Sequence, residues 1–187
     1  MGTFKNFIQK KTPSIQELLS ILSLCLLMIS SYTLYRLFWH VPSWLYYLNL
    51  YDVLIITAYS LSYVLFESLA CCIFLIILSL VLPIQLLKNK FIVQGYTITI
   101  YMGAIAFAIQ RKMRIIYSLN IQELSLYPLL FFLSILIVTV ISSFIFDRLE
   151  FMEKLIQNIA DRVTVFLYIY LPICVICSFI VIFRNIL

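Results

Sequence analysis

Long apolar runs separated by short polar clusters organise this chain. Residues 17–39, 52–83, 124–146 and 163–183 each continue for about twenty residues or more with hardly a charge. In hydrocarbon every backbone N–H and C=O must be satisfied within the segment, so runs of this length predict transmembrane helices. The first has a start signal, Ser14 followed three residues later by Glu17, the spacing of a capping box. The second would be about 48 Å long at 1.5 Å per residue, against a core of about 30 Å, so it must tilt, kink or project. Between them, residues 40–51 cluster Trp44, Tyr46, Tyr47 and Tyr51, rings suited to the headgroup level, with the lone His40 as an interfacial residue.

Two stretches are less simple. Residues 91–110 are apolar enough to cross, but Gln94, Gly95 and Gly103 interrupt them and Arg111, Lys112 and Arg114 follow at once. If this piece crosses, eight Lys and Arg fall inside and five outside; if not, nine fall inside and four outside. Placing three cations at an outer helix end is disfavoured by the positive-inside rule. The expectation is therefore four spans with both termini cytoplasmic, residues 84–123 forming a cytoplasmic segment with a re-entrant or interfacial piece; five spans is the alternative. Residues 147–162 place Leu149, Met152, Leu155, Ile156 and Ile159 at helical spacing, predicting an extracytoplasmic amphipathic surface helix. The predicted fold is all-α, a polytopic membrane helical bundle in one domain.

Composition agrees with this. The 187 residues are 64% hydrophobic and 11% charged, where soluble domains have about 25% charged residues. The net charge of +5 sits in clusters beside the apolar runs, which suits topology and anionic lipid. No basic stripe, zinc spacing or aromatic-basic alternation points to nucleic acid. Cys25, Cys71, Cys72, Cys174 and Cys177 lie among Leu, Ile and Phe, as apolar packing residues. No nucleophile, metal-ligand or phosphate-loop motif occurs, so neither enzyme activity nor a cofactor is expected.

Candidate chemistry therefore concentrates in polar residues at membrane depth. Tyr59, Ser60, Tyr63 and Glu67, with Cys71, form a stripe along the second run, and Glu67 is an acid at its midpoint. Such an acid costs about 2.5–3.5 kcal/mol on insertion scales. It reads either as a protonatable site facing a cavity or an oligomer axis, or as neutral polar glue between helices. Arg36 is a candidate gating residue; its depth differs from that of Glu67 by about 18 Å, which makes a pair within one chain implausible and leaves snorkelling or Asp52 as its partner. Lys88, Lys90, Arg111, Lys112 and Arg114 form the largest basic grouping, a docking surface for lipid or an acidic cytosolic partner.

With these spans, the basic segment and the missing enzyme motifs in view, the chain resembles KwaA, the membrane component of the Kiwa anti-phage defence system. The resemblance covers length and span pattern and carries no diagnostic motif. It implies a homo-tetramer in the bacterial inner membrane that responds to phage attachment and holds a cytosolic DNA-binding effector, KwaB. The expected function is a non-enzymatic sensor or scaffold. The alternatives are a small channel or proton-coupled transporter using Glu67, and a bacteriocin immunity protein.

Overall fold

The computed structural model describes residues 13–83, 91–116, 126–148 and 150–186. Five helices account for nearly all of them: α1 (Ile15–Trp44), α2 (Leu50–Val81), α3 (Phe91–Ile116), α4 (Leu126–Arg148) and α5 (Glu150–Ile186). No strand occurs among the described residues. All five helices are long and apolar enough to cross a membrane. The all-α membrane class expected from sequence is what the chain forms, with the helix number matching the five-span alternative.

Local chemistry sets the helix ends. Ser14 caps α1: the Glu17 N–H donates to Ser14 Oγ at 3.3 Å, and the Ser14 N–H donates to Glu17 Oε2 at 2.7 Å. At the other end α2 stops at Val81, two residues before Pro83, whose ring lacks an N–H and disfavours helix in the residue before it. Pro42 and Pro172 lie inside α1 and α5 without ending them. In lipid, helix is the backbone state that leaves fewest groups unpaired, so one missing bond is tolerated.

The chain divides into two compact units. The first contains α1, α2 up to Ile77 and α5 from Ile159. Its core is Leu26 of α1, Leu61 and Val64 of α2, and Leu167 and Cys174 of α5. The second contains the last turn of α2, α3, α4 and the start of α5. There α3 and α4 pack against each other as an antiparallel hairpin.

Both units put small polar residues inside and large apolar ones outside. Ser23, Ser30, Ser68 and Thr139 are buried, while Phe38, Phe66, Ile137 and Phe179 are exposed. Water would reverse this order. Acyl chains are as apolar as leucine, so helices in lipid gain by close packing and internal hydrogen bonds instead. Many inward hydroxyls donate along their own helix, such as Ser68 Oγ to the Val64 carbonyl at 2.7 Å and Thr139 Oγ1 to the Ile135 carbonyl at 2.8 Å.

Two sequence expectations change. Residues 91–110 are not re-entrant: α3 is one continuous helix of 26 residues, and Gly95 is buried rather than a break. Glycine costs about 1 kcal/mol against alanine in a helix, but at this buried position it lets backbones approach closely. Residues 150–162 are the beginning of α5, not a separate surface helix. At 37 residues α5 is about 55 Å long, so it overruns a core of about 30 Å.

Contacts between helices set their directions in the first unit. Tyr59 of α2 bonds Asn185 of α5, and Ser62 bonds Ser178, so α5 runs antiparallel to α2 and parallel to α1. The C-terminal end of α5 thus lies at the α1–α2 connection, and Ile15 lies at the far end of that unit.

Candidate functional site

Position on α2 divides the expected polar stripe into two parts. Tyr59 turns toward α5, where its hydroxyl donates to Asn185 Oδ1 at 2.8 Å and its ring lies 6.0 Å from the Arg184 guanidinium carbon. Ser60 Oγ donates to the Ile56 carbonyl at 2.9 Å. Tyr63 and Glu67, by contrast, face outward, Tyr63 being 65% exposed and Glu67 also exposed.

The inward face of α2 explains this division. Leu61, Ser62, Val64 and Ser68 are buried, whereas Tyr63, Phe66 and Glu67 of the same turns are exposed. A carboxyl near the middle of an apolar 32-residue helix consequently meets the surroundings of its own unit rather than an internal cavity.

Arg36 is also exposed, eight residues from the end of α1, while Glu67 lies seventeen from the start of α2. In this antiparallel pair the offset is about 14 Å along the axes, too far for an ion pair. His40 stacks on Trp44 with ring centroids 5.7 Å apart. Exposed Trp39, Tyr46, Tyr47 and Tyr51 complete an aromatic band at this end.

Only part of the basic grouping falls on described helix. Arg111, Lys112 and Arg114 occupy the C-terminal part of α3, about 30 Å along one rod from Phe91. Lys88 and Lys90, which precede that helix, lie outside the described residues.

Sequence reasoning passed over a polar pair in the second unit. Gln94 is fully buried, and its Oε1 lies 2.5 Å from Ser142 Oγ on α4. Ser142 has one proton and two acceptors in reach, the second being the Thr139 carbonyl at 3.0 Å. Among the described residues Gln94 Nε2 has no hydrogen-bond partner. When Ser142 donates to Thr139, a turned-over Gln94 amide can donate to Ser142 in its place. Thr139, Ser142 and Ser143 at helical spacing were the signal available for this contact.

These features define a helical multi-pass membrane protein with an exposed acid, Glu67, near the middle of its second helix. No protein-family model, curated protein or solved structure matches the chain.

Proposed function

We propose that this chain is a non-enzymatic sensor or scaffold of the bacterial inner membrane that self-associates through the Glu67 face of α2 and relays to a cytosolic effector. The resemblance to KwaA supports a role in anti-phage defence. Self-association rests on one observation: Glu67 is exposed near the middle of an apolar helix, beside exposed Tyr63. Facing acyl chains alone, that carboxyl carries an insertion cost of about 2.5–3.5 kcal/mol. A second copy apposed through the same face supplies each carboxyl with a Tyr63 hydroxyl or another carboxyl, and symmetry repeats the contact.

Orientation follows from charge and parity together. Five crossings with the start of α1 in the cytosol leave eight Lys and Arg inside and five outside, so that sense is preferred. Effector docking then falls to Lys88, Lys90 and the α4–α5 junction, where Arg148 and Lys154 are exposed. Arg111, Lys112 and Arg114 face the other way, toward outer headgroups.

The test is a photo-crosslinking residue placed in membranes at Ala70, exposed one turn from Glu67, and separately at exposed Ile137 of α4. Covalent dimers from position 70 and none from position 137 support the reading; equal yields, or none, reject it. Liposome flux discriminates the second reading that the same observation favours, a ring of Glu67 carboxyls lining an ion path: a scaffold gives no flux, and a conduit loses its flux on Glu67→Gln.

A further inference from the structure

A groove of about 730 Å³ runs between the N-terminal third of α2 and the C-terminal end of α5, within one compact unit. Ile55, Ala58, Ile176 and Phe179 are part of its apolar lining, and Tyr51 and Arg184 lie toward the end nearest the α1–α2 connection, its mouth. Arg184 is the single charged residue of the lining.

Polarity changes along the groove in one direction. From Ile176 to Arg184 is about 12 Å of helix, close to the 15 Å or so of one hydrocarbon leaflet. The mouth lies at the end carrying the exposed aromatic band, the level at which Trp and Tyr meet headgroups. Arg184 is held there by its neighbours: Asn185 is fixed by the Tyr59 hydroxyl, and the Arg184 guanidinium approaches the Tyr59 ring. Arg184 approaches that ring, and among the described residues no carboxylate pairs with it. A cation with no carboxylate partner among the described residues, at headgroup level above an apolar slot of leaflet depth, is complementary to an anionic amphiphile.

We propose that this groove binds one anionic glycerophospholipid, with its phosphate on Arg184 and an acyl chain along Ile55, Ala58, Ile176 and Phe179. A second copy of the chain is a poorer occupant, since an apolar helix laid there would leave Arg184 without an anion. The site does not depend on self-association through Glu67, which lies on another part of α2.

The experiment is native mass spectrometry of the purified full chain from micelles containing equal phosphatidylglycerol and phosphatidylcholine. One phosphatidylglycerol per chain should survive activation in preference to phosphatidylcholine. Arg184→Gln should lower that preference about five-fold, the factor expected from one cation near the surface, and Arg184→Lys should restore most of it. Ala58→Phe, which fills the slot, should lower retention of both lipids; because Arg184 is exposed, its variants test the site even if Ala58→Phe misfolds. Unchanged preference in Arg184→Gln, or a photo-crosslinker at Phe179 that captures another copy of the chain instead of lipid, would overturn the proposal.

Discussion

Glu67 of α2 and Gln94 of α3 face the same physical problem and meet it in opposite ways. Each is a polar side chain in an apolar helix. Gln94 points inward, is fully buried and reaches Ser142 on α4, so its polarity is spent within its own unit. Glu67 is exposed although neighbouring Val64 and Ser68 are buried, and among the described residues no hydrogen bond reaches it. Polarity at membrane depth therefore carries two meanings, and the face of the helix decides between them. An inward amide is packing; an outward acid is an unmet requirement that a second molecule can satisfy.

The largest effect concerns the arrangement that makes those faces comparable, and it is all or none. Single cysteines replacing Tyr46 and Asn185 should react with an impermeant thiol reagent from one side of the membrane, and one replacing Gln16 only from the other. A cysteine at Arg114 should share the side of Tyr46 if α3 crosses, as its 26 residues allow. Reaction of positions 16 and 185 from the same side would break the antiparallel pairing of α2 with α5.

Next comes Gln94→Ala, expected to cost about 2–4 kcal/mol of unfolding free energy in mixed micelles, because a fully buried side chain leaves a cavity. Gln94→Met keeps the volume and removes the unpartnered Nε2, and should lie within about 1 kcal/mol of the parent. A Met variant as damaged as the Ala variant would mean that the bond to Ser142, not the space filled, holds α3 to α4.

How far this contrast was legible in sequence depends on what each residue type can signal. The capping box at Ser14 and Glu17 was readable and forms. The apolar runs were readable too, because length and missing charge need no partner to be recognised. The exposure of Glu67 was not, since Tyr59, Ser60, Tyr63 and Glu67 share a stripe by spacing and only the packing of α5 turns Tyr59 inward. Segment 91–110 misled for a related reason: Gln94 and Gly95 resemble a break when their partner, forty-eight residues away on α4, is out of view. The start of α5 misled because an amphipathic stretch looks the same whether it ends at the membrane or continues into a span.

Glu67→Leu should act in the opposite sense to Gln94→Ala. Stability of the single chain should hold or rise, since an unpartnered acid facing lipid is removed, while self-association weakens by about 1–2 kcal/mol, or about five- to thirty-fold in dimer dissociation constant. Fluorescence transfer between labelled copies in liposomes measures the second quantity and unfolding in mixed micelles the first. Association that survives Glu67→Leu at full strength would detach the outward acid from any partner.

The smallest effect belongs to Ser62→Ala, which tests whether the first unit is held by shape or by polar contact. Ser62 Oγ donates to Ser178 Oγ at 3.1 Å, and Ser178 donates onward to the Cys174 carbonyl at 2.8 Å. Removing Ser62 takes one donor away but leaves Ser178 with its backbone acceptor, so no buried group is stranded. The cost should then be near the average of about 0.6 kcal/mol for such bonds between membrane helices, measured against the parent in the same micelles. A loss above about 2 kcal/mol would mean that the serine pair, rather than Leu26, Leu61, Val64 and Leu167, fixes α5 against α2. The two units would then share one mode of internal stabilisation, and the difference between Glu67 and Gln94 would come down to orientation alone.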